Sequence, residues 1–385
     1  MFFKDVTGHT KIKQQLIKAV QENRVSHAQL FLGPEGCGNL VMALAYAQYI
    51  NCENRSEDDS CGKCPNCIKS QKFIHPDIHY TFPFVKIDKE KKELSADYIS
   101  EWREFLHKTP YANYNHWISS IAAENKQGNI TAKECSDILR RLSMKNFEAA
   151  YKVLILWLPE FLEKEGNRLL KIIEEPPDNT VFILVANDQE RVLNTIMSRL
   201  QIVKFNRLTD EEIISSLMEK FHIPAVQAKK IATLSDGDFN EAAQLVEMEE
   251  DGEGILIREW MEVCYRQNVK GLYAWNDKFV KQGRENQKNF FQYCLHFFRE
   301  ILLIEAGAAS ISKLTDAELK TAAGLGKLLG VEKITRILEL FDKSIYFVER
   351  NVNAKILITY VSISLLKQFQ PNYNYREPFF EKWSI

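Results

Sequence analysis

The chain has 385 residues, 45% of them apolar and 26% charged, with 50 Lys and Arg against 52 Asp and Glu for a formal net charge of −2. That length exceeds one hydrophobic core and predicts two or three domains, while the near-neutral balance excludes a protein that holds nucleic acid through bulk charge alone. No apolar run approaches the ~20 residues that span a bilayer, and Met1-Phe2-Phe3-Lys4-Asp5 lacks a signal-peptide pattern, so no membrane association and a cytoplasmic location are expected.

Residues 11–22 place apolar side chains at helical spacing. A short apolar run, Ala28 to Leu32, leads into a Gly/Pro turn, Gly33 to Gly38, and then into a second helical pattern from Val41 to Ile50. Strand, glycine loop, helix is the order of a phosphate-binding unit. The stretch near 80–130 is polar and aromatic, contains Lys89-Glu90-Lys91-Lys92-Glu93, and reads as an insertion in the first domain. Val153 to Leu158 predicts a buried strand. Asn167 to Glu175 predicts a helix stopped by Pro176-Pro177, because proline disfavours helical geometry in the residue before it. Thr180 to Ala186 predicts another buried strand, rich in β-branched residues. Strands alternating with helices imply a mostly parallel sheet covered on both faces. After residue 207 strand signals fade. Three amphipathic stretches within 209–247, split at Ile223-Pro224 and at Ser235 to Asp238, predict a small helical domain. From 253 to the end the pattern is helical, with bulky apolar faces at Phe290 to Phe298 and Ile356 to Leu366.

Four of the eight cysteines, Cys52, Cys61, Cys64 and Cys67, fall within residues 52–67. In a long chain of this kind, clustered cysteines point to metal rather than disulfides. The spacing Cys52-x8-Cys61-x2-Cys64-x2-Cys67 suits tetrahedral Zn²⁺, with Gly62 and Pro65-Asn66 supplying the turns. His75 is a rival ligand, but the four thiolates complete a site by themselves, and a closed four-ligand site is structural. Cys37, Cys135, Cys264 and Cys294 read as small buried apolar residues.

A working phosphate loop reads G-x-x-x-x-G-K-[ST]. Its lysine neutralises the β- and γ-phosphates and its hydroxyl holds Mg²⁺. Here Gly33-Pro34-Glu35-Gly36-Cys37-Gly38 keeps the glycines in register, but Asn39 stands at the lysine position and Leu40 at the hydroxyl position. The strand that should end in Mg²⁺-holding acids runs instead into Trp157-Leu158, and Glu160, the nearest carboxylate, reads as a solvated helix-start residue. Loss of all these groups predicts a dead site that neither binds nor hydrolyses ATP.

Four further segments, in order, make a resemblance specific. Phe3 to His9 matches an F-x-D-I-x-G-Q opening. Ser26 to Gly38 resembles HA-x-LF-x-GP-x-G-x-G. Asn167 to Pro177 is similar to NALLK-x-LEEPP, departing at Arg168. Thr195-Ile196-Met197-Ser198-Arg199-Leu200 resembles TI-x-SRC, with Leu200 in place of cysteine. Over residues 3–207 the chain thus resembles the clamp-loader subunits of bacterial DNA polymerase III, members of the AAA+ family. Arg350 to Lys355 extends the likeness only loosely into the last part.

The resemblance implies an α/β P-loop (AAA+) domain with a parallel sheet over 1–207, a three-helix lid over 208–252, and an all-α collar that oligomerises over 253–385. Within that family a degenerate phosphate loop marks the delta-prime type. The helical-domain stretch Gly237 to Ala242 lacks the usual sensor arginine, and the first sensor position holds Asn187. The cysteine spacing resembles the family's zinc module. Arg199, supported by Ser198, falls where the family places an arginine that reaches a neighbour's ATP. The implied partners are active gamma/tau-type and delta-type subunits, with the sliding clamp and primed DNA reached through the complex of a polymerase holoenzyme. Two other functions compete: an active ATPase with atypical phosphate chemistry, opposed by Asn39, Leu40 and Trp157, and a DNA-binding zinc protein of replication or repair, opposed by the neutral charge and closed metal site.

Overall fold

A computed structural model of the protein describes residues 1–86, 92–111, 113–121, 127–249, 253–307, 314 and 316–370. The charge run Lys89 to Lys91, the boundary expected at 250–252, and the end of the expected collar beyond 370 lie outside the described residues. The chain forms two compact units, Met1–Ala243 and Gln244–Ile385.

The first unit is built on a five-stranded parallel sheet of order β2-β3-β4-β1-β5, with β1 Ala28–Leu32, β2 Ile78–Thr81, β3 Lys152–Trp157, β4 Thr180–Ala186 and β5 Gln201–Lys204. The three central strands are buried along their whole length, as their continuous apolar runs require. Helices α1 Thr10–Gln21 and α2 Asn39–Ile50 flank β1 in sequence, and every residue of α2 is buried. Helix α3 Pro65–Gln71 carries Cys67, and Cys64 caps its start. The insertion carries α4 Ile99–Lys108 and α5 Tyr114–Ser120, and α6 Ala132–Ser143 leads back to β3. The helix expected over Asn167–Glu175 opens on the end of a 3₁₀ run, Pro159–Leu169, which is broken at Glu163 (φ 44°, ψ −140°), and continues as α-helix. The α-helical part is α7, Leu170–Glu174, followed by the short α8, Asn194–Met197. Three helices complete the region after the sheet: α9 Asp210–Phe221, α10 Ala225–Leu234 and α11 Phe239–Glu249, separated at the two expected breaks. Thr209 starts α9 with a capping box, its hydroxyl accepting from the Glu212 amide at 3.3 Å while Glu212 accepts from the Thr209 amide at 3.0 Å.

The insertion is fixed to the sheet by one buried carboxylate. Glu134 on α6, fully buried, accepts from Thr81 Oγ1 (3.1 Å), the Ser95 hydroxyl (2.5 Å) and amide (2.9 Å), and Arg141 (3.1 Å). Three donors meet Oε1 and one meets Oε2, so its burial is compensated. Glu134→Ala leaves Arg141 with Asp137 (2.7 Å) as its remaining carboxylate among the described residues and strips three further donors of their acceptor; a loss of about 3 kcal/mol is expected. Arg140→Ala on the exposed face of the same helix should cost under ~0.5 kcal/mol. Urea unfolding of the two variants checks this, and equal midpoints would refute the anchoring role of Glu134.

The second unit is helical: α12 Glu253–Tyr265, α13 Val269–Val280, α14 Arg284–Glu305, α15 Asp316–Glu349, which breaks at Gly330 (φ 69°), and α16 Ala354–Gln368. No strand occurs past residue 253 among the described residues. Its core centres on Trp260 stacked on Trp275 (4.7 Å, 4°), with Phe290 and Phe341 around them. The Trp260 indole N–H donates to Ser362 Oγ at 3.0 Å. No helix among the described residues is long and apolar enough to cross a membrane.

Candidate nucleotide cradle, cysteine cluster and Arg199

The glycine loop sits where the fold puts ligands, at the carboxyl ends of the parallel strands. Gly36 (φ 69°) and Gly38 (φ 90°) take the left-handed backbone that glycine alone adopts at no cost. The space above them is filled by the chain itself. A Cβ on Gly36 would lie 1.7 Å from Asp238 Oδ1, and one on Gly38 would lie 2.9 Å from the Tyr111 ring. Asp238 caps α11, accepting from the amides of Asn240 (2.8 Å) and Glu241 (3.1 Å), and the Phe239 amide donates to Gly36 O at 3.1 Å. A carboxylate therefore lies directly beside the loop. Tyr111, from the insertion, packs on Phe239 (4.7 Å), accepts from the Thr7 amide (2.8 Å), and lies under the Lys220 ammonium (5.5 Å). Burial raises its phenol to about 12.

Asn39 is bonded within the chain. Its Nδ2 donates to Ala186 O (3.1 Å) and Gly33 O (3.4 Å) and lies 3.5 Å from Asn187 Oδ1, and its Oδ1 accepts from the Leu40 amide (2.9 Å). Leu40 is buried, as is Trp157, whose ring packs against Trp102 (5.2 Å) and Phe105 (6.0 Å) of α4. His9 lies 2.8 Å from Cys37 O, and burial lowers its basicity. Between Glu35, Tyr111, Trp157 and Asn187 a cavity of ≈ 10 Å³ remains, room for one water at most.

Glu160 differs from the sequence reading. It does begin a helical segment, but it is buried rather than solvated, at 6% exposure. Its Oε1 accepts from the amides of Asn187 (2.6 Å) and Asp188 (2.9 Å), which ties the exits of β3 and β4 and offsets its desolvation. Burial pushes its carboxyl up.

The cysteine cluster is assembled. The Sγ atoms of Cys52, Cys61, Cys64 and Cys67 all lie within 4.8 Å of one another, with Cys61 and Cys67 3.9 Å apart. A tetrahedral Zn–S₄ site at ~2.3 Å has edges of ~3.8 Å, so the donor set fits one Zn²⁺. Backbone amides aim at the sulfurs: Lys63 and Cys64 to Cys61 (3.4 and 3.3 Å), Cys61 to Cys52 (3.2 Å), and Cys67 to Cys64 (3.5 Å). The Lys63 amide leads in holding the Cys61 thiol down to about 6, while burial pushes Cys52 and Cys67 up. His75 is committed elsewhere, with Nε2 on Asn66 Oδ1 (3.1 Å) and Nδ1 accepting from the Asp77 amide (3.1 Å). Cys37, Cys135, Cys264 and Cys294 are buried, as expected.

Arg199 lies away from this cradle, just before β5. Its Nε donates to Glu174 Oε1 (2.6 Å) and its Nη1 to Thr195 O (2.6 Å) and Ser198 Oγ (3.3 Å). The side chain is 30% exposed. Three residues of this geometry were not singled out by the sequence: Tyr111, Asp238 and Glu174. The first two act by contacts distant along the chain. Glu174 was visible as the acid before Pro176-Pro177, but its partner was not.

A family model described as DNA polymerase III, delta subunit matches residues 8–209. Among curated proteins the chain is similar to DNA polymerase III subunit tau of Bacillus subtilis, 22% identical over 366 residues that cover 89% of this chain and 57% of that protein. It is similar to subunit delta' of the same organism, 23% identical over 303 residues that cover 77% and 78%. The chain thus spans little more than half of the tau relative. Among solved structures it is similar to a DNA polymerase III gamma subunit-related protein of Thermotoga maritima, 13% identical with a TM-score of 0.39, over 93% of this chain and 99% of that one.

Proposed function

The chain belongs to the DNA polymerase III, delta subunit family of clamp-loader AAA+ proteins, and on that premise we propose that it is a non-hydrolysing, delta-prime-type subunit that shapes the ring and serves a neighbour's ATP through Arg199. Tau and delta' resemble it at nearly equal identity, so the choice between a motor and a non-hydrolysing subunit rests on the cradle. The observation that carries the reading is its occupation: the Asp238 carboxylate and the Tyr111 ring stand over the glycines, and Trp157 fills the acidic position. An uncharged Asn39 and a buried Leu40 supply neither phosphate neutralisation nor a Mg²⁺ ligand.

In this reading residues 1–207 are the nucleotide-site-like domain, 208–252 the lid and 253–385 the collar through which the subunit joins active gamma/tau-type and delta-type partners. Exposed Val269 and Tyr273 on α13 and Ile356 on α16 suit such contacts. The sliding clamp and primed DNA are then met through the complex, in the cytoplasm, during replication. Cys52, Cys61, Cys64 and Cys67 hold a structural Zn²⁺.

Titration calorimetry tests the dead site. The purified chain should bind Mg-ATP more weakly than ~10 µM and show no hydrolysis, because the main triphosphate-stabilising groups are missing. Asn39→Lys alone should not rescue either property, since Asp238, Tyr111 and Trp157 stay in place. Micromolar or tighter binding by the unmodified chain would overturn the reading.

A further inference from the structure

We infer that Glu174, with Asn167 and Thr195 behind it, is a positioning network for Arg199: it grips the guanidinium on Nε and Nη1 and leaves Nη2 for an anionic oxygen presented from outside the chain. This rests on the reading of Arg199 as a group that serves a neighbour's triphosphate.

The network joins two segments that are distant in sequence. Thr195 Oγ1 donates to Asn167 Oδ1 at 2.9 Å, and Asn167 Nδ2 donates to Lys164 O at 3.1 Å, so the start of α8 is fastened to the 3₁₀ run before α7. Gly166 lets that run close on α8, since a Cβ there would lie 2.8 Å from Ile196 Cδ1. Thr195 then offers its carbonyl to two groups, Arg199 Nη1 (2.6 Å) and Ser198 Oγ (3.1 Å). Glu174, the last residue of α7, closes the arrangement on Nε at 2.6 Å. Among the described residues Nη2 has no hydrogen-bond partner.

The pair is solvent-exposed, 30% for Arg199 and 48% for Glu174, and exposed ion pairs add little to stability. Its physical effect is on conformation. A long, free arginine samples many rotamers, and freezing it at the moment of contact subtracts from the interaction it makes. Three bonds from Nε and Nη1 remove that freedom beforehand, and the planar guanidinium transmits the constraint to Nη2. Because Glu174 holds Nε, an arriving phosphate oxygen can bond Nη2 without displacing the carboxylate. A lysine's three donors share one freely rotating nitrogen, so it has no rigid plane to carry the constraint from a held donor to an offered one.

The test uses the reconstituted clamp loader with clamp and primed DNA, read by single-turnover ATP hydrolysis. Glu174→Ala should lower the hydrolysis rate at the served site about 10-fold and leave half-saturation by ATP within about 2-fold, because orientation rather than ground-state binding is lost. Glu174→Gln, which keeps an acceptor for Nε, should restore the rate to within about 3-fold. In an Arg199→Ala background, Glu174→Ala should add no further loss. Size-exclusion assembly and thermal midpoints of the variants should match the unmodified complex. A full additional loss in the Arg199→Ala background would mean that Glu174 acts on the fold, and an unchanged rate in Glu174→Ala beside a lost rate in Arg199→Ala would mean that the arginine needs no anchor; either overturns the network alone. No loss in Arg199→Ala itself would remove the arginine's role, and the network with it.

Discussion

Arg199→Ala should slow ATP turnover at one neighbouring site by roughly 10³–10⁵, the range found where a guanidinium stabilises charge developing on a transferring phosphoryl group. The same change should leave the isolated chain folded and able to join the ring. Arg199 is partly exposed, and among the described residues its one ion pair is with Glu174, itself half exposed, so its removal costs the fold at most ~1 kcal/mol. On the proposed non-hydrolysing reading, a subunit with Asp238 and Tyr111 set against its glycine loop has no use for an arginine beside that loop. Retention of Arg199 within Thr195-Ile196-Met197-Ser198-Arg199 makes sense if it acts outward. Arg199→Lys should recover little, because a lysine lacks the planar set of donors that engages Glu174, Thr195 and an external oxygen together. Steady-state ATPase and clamp loading by the reconstituted complex, compared with the unmodified chain, decide the matter. Unchanged turnover with intact assembly would leave the chain as a structural wedge in the ring.

How much of this was readable beforehand depended on where each contact lies along the chain. The strands β1 and β4 fall on the residues their apolar runs indicate, and β3 differs by one residue at each end, because a strand buried on both faces writes an unbroken apolar stretch. The strand β5 left no such trace: among the described residues it is an edge strand paired with β1, and three of its four residues are exposed. The helix expected from Asn167 is present to Glu174, but its first three residues finish a 3₁₀ run that the local pattern did not announce. The missing lysine, hydroxyl and acid were legible position by position, since each is a substitution within a local motif. The groups that took their place were not. Trp102 and Phe105 of the insertion are spaced as one helix face, yet nothing in the sequence says that this face meets Trp157. Glu160 was misjudged for the same reason: a charged residue at a helix start is usually solvated, and the amides of Asn187 and Asp188 that compensate its burial come from the end of another strand.

The cysteine cluster carries the other large expectation. Protein prepared without added metal should hold one Zn²⁺ per chain, and less than about half an equivalent with four reactive thiols would sink the assignment. Structural zinc at four thiolates contributes ~10–16 kcal/mol in isolated fingers, but here the module is also tied to its surroundings, so its loss should be felt along those ties. Asp59 accepts from the amides of Phe3 and Lys4 (3.1 Å each), Ser60 accepts from Gln48 on α2 (2.6 Å), and the N-terminal ammonium donates to Gln48 (3.1 Å). Gly62 lies under the Phe2 ring, and Asn66 donates to Asn51 O (3.0 Å). The loop between Cys52 and Cys61 is therefore a clasp over the first turn of the chain, Phe3–Asp5. Cys64→Ser should release that turn and α3 together, which hydrogen exchange would register as faster exchange at Phe3, Lys4 and Cys67 amides. The sheet strands β1, β3 and β4 should exchange as before, and so should the helices of the second unit, Gln244–Ile385, which form a separate compact body. The pH dependence follows from the thiols. Zinc binding must displace protons from Cys52 and Cys67, whose thiols burial pushes up, more than from Cys61 at about 6, so metal is lost as pH falls and thiolates are reprotonated. Uniformly faster exchange across both units on zinc removal would show instead that the metal holds the whole fold rather than this clasp.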